Sequence, residues 1–341
     1  MPKSASLDVT GIGNAIVDII AQTDDGFLAS HAIAKGGMTL IDAAAATELY
    51  AAMGPGVETS GGSAANTIAG IAALGGKAAF IGKVQRDQLG EVFAHDLRAL
   101  GVRYDTPASA SENPTGRCLI LVTPDAQRSM STFLGAGQEL HPRDVDPTVI
   151  EAARITYLEG YLWDPPQAKD AFRKAMDIAH ASGRKVAMSL SDAFCVERYR
   201  DEFQHLVAGN IDILFANETE IMSLYQAKSF DAALQAVRGK CAIVALTRSE
   251  KGCVIVAGDE VHVIEAVKPA QLIDTTGAGD LFAAGFMFGL THGRDLATCA
   301  RIGALAASEV IAHLGPRPQS DLKALDTAHV LDLVMSPARR G

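Results

Sequence analysis

Residues 274–290 read DTTGAGDLFAAGFMFGL, a glycine-containing turn that runs directly into an apolar helix rich in small residues. Asp280 lies where this helix begins, beside Gly277 and Gly279, whose conformational freedom lets successive backbone N–H groups converge. The start of a helix favours negative charge. Two interpretations follow: Asp280 caps the helix, or it is a base held next to a bound phosphate.

Strand-like and helix-like segments alternate along most of the chain. Buried β runs are expected at 78–84, 155–160, 185–190, 211–216 and 241–247. Segments with helical spacing occupy 63–76, 88–101, 167–182, 196–207, 295–312 and 319–334. This βαβα order predicts an α/β fold with a mostly parallel central sheet and helices on both faces.

Two segments, at about 14–50 and 104–136, break this alternation. The first holds short apolar pieces around Gly36 and Gly37, and the second holds the β runs TGRCLILVT and SMSTFL. We expect antiparallel strands here, forming a small β-sheet lid over the carboxyl edge of the main sheet, where open α/β sheets bind ligands. The whole chain, 1–341, is thus expected to be a single α/β domain with this lid inserted.

Composition narrows the functional classes. Of 341 residues, 48% are hydrophobic and 21% charged, which is typical of a soluble globular protein. The net charge of -10, without a basic stripe, argues against a nucleic-acid partner. Five cysteines without a CxxC pair favour a reducing cytoplasm. The start lacks the apolar core of a signal peptide, and the apolar run after Asp280 is too short to cross a membrane, which takes about 20 residues.

Several common chemistries lack their sequence signatures. HExxH, GxSxG and a complete Walker A motif are absent from the sequence. GIGNAI at 11–16 lacks the third glycine of a dinucleotide fingerprint, and a β-like segment follows it instead of a helix. A protein with this sequence that handles phosphate therefore does so without a P-loop.

Two further motifs accompany the DTTGAGD turn. NETE at 217–220 follows a buried strand, and its Asn217 and Glu220 share a helical face, which suits either a magnesium site or a helix cap. GGSAAN at 61–66 precedes a helix. Its glycines permit close approach of a ligand, and Asn66 offers a donor and an acceptor to a polyol, although a plain turn with a small-residue packing face fits as well. Asp274 is expected to orient the loop or a metal-bound water.

In this order, GGSAAN, NETE and DTTGAGD resemble the motifs of the ribokinase-type (PfkB) carbohydrate and nucleoside kinases, over about residues 7–315. GIGNAIVDI, PTGRC at 114–118 and LSDAF at 190–194 are more similar to the adenosine kinase branch than to ribokinases or fructokinases. The resemblance implies a ribokinase-like fold with a β-sheet lid. It also implies transfer of the ATP γ-phosphoryl group to the 5′-hydroxyl of a purine nucleoside, adenosine above all, as in purine salvage.

The resemblance implies roles for individual residues, position by position. Asp280 matches the general base, and Asp18 matches a carboxylate whose two oxygens accept from vicinal ribose hydroxyls. The catalytic turn and a lid arginine that reaches the transferred phosphate are matched by Gly277, Ala278, Gly279 and Arg128. The other sugar and purine contacts fall at or near Asn14, Met38, Gly62, Ser63, Asn66, Cys118, Leu134, Tyr161 and Phe194. The ATP contacts are expected at Asn217, Thr247, Gly252, Asp274, Gly277 and Gly279, and the Mg²⁺ contacts at Glu220 and, through water, Asn217.

Other functions stay open at this stage. A sugar kinase acting on ribose or fructose, or a guanosine or inosine kinase, would share these motifs. A catalytically inactive nucleotide-binding regulator is a further alternative, against which the presence of Asp280, Glu220 and Arg128 argues. Members of the adenosine kinase branch are commonly monomeric, so we expect a cytoplasmic monomer that binds a nucleoside and ATP.

Overall fold

The computed structural model describes residues 5–125 and 127–324 of the chain. Its strands are β1 (Leu7–Ile12), β2 (Ile16–Gln22), β3 (Met38–Leu40), β4 (Gly56–Gly61), β5 (Ala78–Ile81), β6 (Thr115–Val122), β7 (Arg128–Gly135), β8 (Ala153–Glu159), β9 (Lys185–Ser189), β10 (Ile213–Asn217), β11 (Ile243–Thr247), β12 (Cys253–Ala257) and β13 (Glu260–Ile264). Its helices are α1 (Asp25–Ser30), α2 (Ala43–Ala52), α3 (Ser63–Ala73), α4 (Gln88–Ala99), α5 (Pro147–Ala152), α6 (Pro166–Ala181), α7 (Ala193–Gly209), α8 (Glu218–Leu224), α9 (Phe230–Val237), α10 (Ala278–Thr291) and α11 (Leu296–Val310).

The larger sheet has eight strands in the order β13-β12-β11-β10-β9-β8-β1-β5. All neighbours from β5 to β11 are parallel, and β12 and β13 add an antiparallel edge. Tyr157 and Leu158, adjacent on β8, belong to different apolar cores, one under α3, α4, α10 and α11 and the other under α6 to α9. Helices therefore cover both faces, and the predicted α/β fold with a mostly parallel central sheet is confirmed.

Small residues let α10 lie in the centre of its layer. Its sequence, AGDLFAAGFMFGLT, is buried from Leu281 to Gly289. A Cβ atom added to Gly285 would lie 2.7 Å from the backbone nitrogen of Gly303 on α11, and one added to Gly70 on α3 would lie 2.6 Å from Leu281. The glycines thus allow three helices to approach closely, which fixes the position where α10 begins.

The smaller sheet has five strands in the order β3-β7-β6-β2-β4. β6 and β7 form the predicted antiparallel hairpin, and β2 pairs antiparallel with β4. The β2–β6 and β3–β7 pairs are parallel, so the sheet is mixed and not purely antiparallel as expected. β4 also joins this sheet, beyond the two segments that the sequence singled out. Crossovers through α1 and α2 bring distant segments side by side, which the local sequence does not encode.

The described part of the chain ends at residue 324. Most of the helix expected at 319–334 lies outside the described residues. Within residues 5–125 and 127–324, none of the helices combines the length and the apolar character needed to cross a membrane.

Candidate active site

Asp280 faces the N-terminal end of α3 and does not cap its own helix. The cap position of α10 is Gly277, whose φ of 77° is left-handed. Asp280 Oδ1 accepts a hydrogen bond from Ser63 Oγ at 2.6 Å, and Oδ2 accepts one from Asn66 Nδ2 at 3.0 Å. The capping interpretation of Asp280 is therefore wrong, and its carboxylate is held inside a cleft.

The surroundings of Asp280 set its affinity for a proton. Burial raises the pKa of Asp280 above its ordinary value, while the bonds from Ser63 and Asn66 and the positive charge of Arg317 lower it. The net effect is a raised pKa. A carboxylate with a raised pKa is a stronger base in its ionised form, provided that the pH keeps it ionised.

The turn before α10 leaves room for a ligand. A Cβ atom on Gly277 would meet Pro316 at 2.9 Å, so this glycine packs against protein. A Cβ atom on Gly279 would meet no atom of the described residues within 4 Å, so this glycine borders open space in the cleft. The Ala278 amide donates to Thr275 O at 3.4 Å. The amides that follow it in the first helical turn have no partner within the helix, and they are available to an anion at this position.

Asp274 shapes this turn instead of lining the cleft. Its Oδ1 accepts from the backbone nitrogen of Thr276 at 2.8 Å and from its hydroxyl at 2.6 Å, and Oδ2 accepts from the Gly315 nitrogen at 3.0 Å. Arg128 pairs with Asp274 through Nε at 2.7 Å and with Thr275 Oγ1 through Nη2 at 3.1 Å. Arg128 Nη1 is buried without a partner among the described residues. The arginine thus retains a donor beside the turn.

Asp18 lies on β2 and lines the same cleft. Its carboxylate is buried against Gly61, where a Cβ atom would come within 2.4 Å of an oxygen. Burial raises the pKa of Asp18 to about 7, Arg317 lowers it, and the charge of Asp280 adds to the rise. Asp18 therefore changes charge near neutral pH.

Glu159 organises the amide groups of the cleft, although the sequence did not single it out. It ends β8, is fully buried, and accepts from Asn14 N at 2.6 Å, Asn14 Nδ2 at 2.8 Å and Ala64 N at 2.7 Å. Burial raises its pKa to about 7. Because Nδ2 is used in this way, Asn14 Oδ1 is left buried without a partner among the described residues, as is Asn66 Oδ1. Both amides line the cleft and offer acceptors to a polyol.

The residues expected around the purine form the wider wall of the cleft. Cys118 is buried, and its Sγ accepts a hydrogen bond from Thr132 Oγ1. The Tyr161 hydroxyl donates to Ser191 O at 3.1 Å. Phe194 is 59% exposed and lies under the guanidinium of Arg198 at 4.5 Å. Met38 and Leu134 line the same wall. Gly62, with φ of 94°, occupies the cap position before α3, and a Cβ atom there would meet Asn14 O at 2.3 Å.

Asn217 and Glu220 form a reciprocal helix cap at the start of α8. Asn217 Oδ1 accepts from Glu220 N at 2.8 Å, and Glu220 Oε2 accepts from Asn217 N at 2.9 Å. The capping interpretation is thus confirmed for this pair. Burial raises the pKa of Glu220 to about 7. Among the described residues, His, Cys, Asp and Glu form no group of three that could hold a metal, so a metal here would depend on water and phosphate for most of its ligands.

One cleft of about 1100 Å³ joins these groups. It lies between the smaller sheet and the carboxyl ends of the strands β8, β10 and β11, and its lining includes Thr247 and Gly252. Every residue that the sequence assigned to catalysis, substrate, ATP or metal lines it, with the exception of Asp274. The cleft also has an apolar part near Val267 and Leu272, which the sequence analysis did not predict.

Three comparisons place this architecture among known proteins. Residues 31–322 match the family described as pfkB family carbohydrate kinase. The chain is 27% identical to adenosine kinase of Saccharomyces cerevisiae over 332 residues, covering 91% of this chain and 96% of the yeast protein. Adenosine kinase from Sinorhizobium meliloti has a TM-score of 0.91 and 53% identity, covering 95% of this chain and 100% of that chain. A probable sugar kinase from Rhizobium etli CFN 42 has a TM-score of 0.91 and 50% identity, covering 96% and 99%.

Proposed function

Because the chain belongs to the pfkB family of carbohydrate kinases, we propose that it transfers the γ-phosphoryl group of ATP to the 5′-hydroxyl of adenosine. Membership makes it an ATP-dependent kinase. The observation that carries the reaction is the Asp280 carboxylate, held by Ser63 and Asn66 where α10 begins. The choice of adenosine is supported by the similarity to the Sinorhizobium meliloti enzyme.

The proposed chemistry uses Asp280 as general base. Its ionised carboxylate takes the proton of the 5′-hydroxyl as that oxygen forms a bond to the γ-phosphorus. The bond from the γ-phosphorus to the bridging oxygen of ADP breaks, so the products are AMP, ADP and a proton left on Asp280. The first-turn amide at Gly279 and Arg128 Nη1, which has no partner among the described residues, stabilise the charge on the transferred group.

The nucleoside is expected at the end of the cleft that holds Asp18. Vicinal ribose hydroxyls are two donors, and the two oxygens of an ionised Asp18 are matching acceptors. Oδ1 of Asn14 and of Asn66, neither of which has a partner in the described part of the chain, add further acceptors. The purine would lie against Met38 and the other apolar wall residues described above.

ATP is expected on the other side of Asp280. Thr247 and Gly252 border that end of the cleft, together with an apolar surface that suits an adenine ring. Mg²⁺ would be held mainly by phosphate oxygens and water, with Glu220 and Asn217 accepting from a bound water, which fits the lack of a dedicated ligand cluster among the described residues. The ion would supply positive charge to the phosphates.

We also infer how the protein works as a whole. The smaller sheet, whose residues Asp18 and Arg128 face the cleft, would act as a lid on a single domain. The protein would act in purine salvage as a cytoplasmic monomer. Its five cysteines are free, which is compatible with a reducing compartment; they are Cys118, Cys195, Cys241, Cys253 and Cys299. Size-exclusion chromatography would test the oligomeric state.

A coupled assay of ADP release tests the proposal. Purified enzyme is given ATP and Mg²⁺ with adenosine, guanosine, inosine, ribose or fructose. We expect adenosine to have the highest kcat/KM, and Asp280→Asn to keep nucleoside affinity while kcat falls by about 10²–10⁴. Turnover of ribose without nucleosides would support the sugar kinase alternative, which the similarity to the Rhizobium etli protein favours. ATP binding without any phosphorylated acceptor would support a regulator.

A further inference from the structure

Arg317 lies in the loop after α11, and its guanidinium reaches the turn between β4 and α3. Nε and Nη2 donate to Ser60 O at 2.9 and 2.7 Å, and Nη2 also donates to Ser60 Oγ at 3.0 Å. Nη1 donates to Ala65 O at 2.7 Å. The planar fork therefore joins two backbone carbonyls on either side of residues 61–64, a geometry that the single ammonium of a lysine cannot reproduce.

The turn that Arg317 holds contacts both Asp18 and Asp280. Gly61 packs under the carboxylate of Asp18, as described above. Ser63 and Asn66 donate to Asp280. A shift of this turn would therefore move the donors that fix the catalytic carboxylate and the support of the ribose-binding carboxylate together.

The loop of Arg317 also contacts the second turn of the site. The Gly315 nitrogen donates to Asp274 Oδ2 at 3.0 Å, and Pro316 packs against Gly277, 2.9 Å from the position of an added Cβ atom. Residues 315–317 thus touch both glycine-containing turns, GGSAAN and DTTGAGD. This short segment therefore links the two turns, in addition to the direct bonds from Ser63 and Asn66 to Asp280.

Arg317 also acts on the site through its positive charge. Arg317 faces the carboxylates of Asp18, Asp96 and Asp280, and Asp96 Oδ2 accepts from the Ser60 nitrogen at 2.9 Å. Burial lowers the pKa of Arg317 to about 10, so it stays charged at neutral pH. Arg128 is paired with Asp274. Arg317 is thus the cation that lowers the pKa of Asp280.

We propose that Arg317 is a positioning residue for phosphoryl transfer, which holds the GGSAAN turn so that Ser63 and Asn66 align Asp280 with the acceptor hydroxyl, and which balances the charge of that carboxylate. The inference rests on the proposed role of Asp280 as base. Other titratable groups that interact with Asp280 are Tyr157, Glu159, Tyr161, Glu220 and Asp18.

Two substitutions separate position from charge. Arg317→Lys keeps the charge but loses the bridge between Ser60 and Ala65, and Arg317→Met loses both. We expect kcat to fall on the order of 10- to 100-fold in each, as for a small misplacement of reacting groups. Arg317→Met should move the acid limb of the kcat–pH profile to higher pH than Arg317→Lys does, because it loses the nearby cation as well as the alignment of the Ser63 and Asn66 donors, and both losses raise the pKa of Asp280.

Arg98→Met is the matched control, since Arg98 Nε and Nη2 also donate to a backbone carbonyl, that of Tyr104, outside the cleft. It should leave kcat and the pH profile unchanged. A double-mutant cycle of Arg317→Lys with Ser63→Ala should be less than additive in kcat, because both act on Asp280.

Several outcomes would overturn the inference. The first is a kcat within about threefold of wild type in both Arg317 variants, which is too small a change for a misplacement of the size expected. The second is a fully additive double-mutant cycle. The third is an acid limb that stays in place in Arg317→Met. An Arg317→Lys protein that is unfolded at the assay temperature would overturn it as well, because Arg317 would then serve the fold and not the site. Failure of the proposed function is recognised separately, in the wild-type acceptor assay and in Asp280→Asn.

Discussion

Ser63 Oγ donates a hydrogen bond to Asp280 Oδ1 at 2.6 Å across a separation of 217 residues. Ser63 begins α3 and Asp280 lies in the first turn of α10, so the starts of two helices meet at one carboxylate. A hydrogen bond to the ionised form favours that form. The proton affinity of the proposed base is therefore set partly by a residue near the other end of the chain.

Ser63→Ala should lower kcat/KM at neutral pH on the order of tenfold, since a hydrogen bond to a charged group contributes about 1.5–3 kcal/mol. Loss of the donor raises the pKa of Asp280, so the acid limb of the rate profile should move to higher pH. Activity needs the ionised base, and it is lost as the pH falls through this pKa. Initial rates measured across the pH range check the shift.

Two variants control for this substitution. Ser63→Thr keeps the hydroxyl and should recover most of the activity. Ser229→Ala removes a helix-capping serine from α9, whose Oγ accepts from the Ala232 nitrogen at 3.2 Å. That change should cost about 1 kcal/mol of stability without moving the rate profile. An unshifted acid limb in Ser63→Ala would contradict the argument.

Asp18 should make nucleoside binding depend on pH. Burial raises its pKa to about 7, and only the ionised carboxylate offers acceptors at both oxygens. KM for the nucleoside should therefore be lowest above about pH 7 and should rise as the pH falls below it. Asp18→Asn should raise KM on the order of 10²-fold, as expected for the loss of charged hydrogen bonds. Steady-state measurements at saturating ATP test both effects, and an undiminished pH dependence in Asp18→Asn would assign it to another group.

The main sheet could be predicted because its strands are buried on both faces. ITYLEG was assigned to residues 155–160, and the strand spans Ala153–Glu159. Such strands read as continuous apolar runs between helical segments. The smaller sheet was harder to predict, since β3 has only three exposed residues and β4, GVETSG, shows no clear alternation. Its pairing depends on tertiary contacts instead of on local pattern.

The site could be predicted where its chemistry is local. The DTTGAGD turn combines a glycine in the left-handed conformation with the start of a helix, and both features can be recognised from the local sequence. Arg317 and Glu159 were not predicted, because they act on residues far along the chain, Arg317 on Ser60 at a separation of 257 residues and Glu159 on Asn14 at 145. A glutamate that closes an otherwise apolar strand, as in ITYLEG, is the signal that could have identified Glu159.

Gly279→Ala should separate activity from stability. The added methyl group meets no atom within 4 Å in residues 5–125 and 127–324, and alanine favours the helix, so the melting temperature should stay equal or rise slightly. The methyl group would lie in the space proposed for the transferred phosphate. We expect kcat/KM for ATP to fall on the order of 10²-fold, as for a displaced reacting group. An enzyme with unchanged kinetics would place the phosphate elsewhere.

Gly285→Ala tests whether close contact between α10 and α11 holds the start of α10 in place. The new Cβ atom would lie 2.7 Å from Gly303 N and Ile302 O, which are backbone atoms that cannot yield unless the helices separate. Overpacking of this kind costs about 1–3 kcal/mol, so the melting temperature should fall. Gly209→Ala, at the end of α7, meets nothing within 4 Å and should be neutral or stabilising. Equal melting temperatures for the two variants in calorimetry would show that the helix contact has more room than the structure gives it.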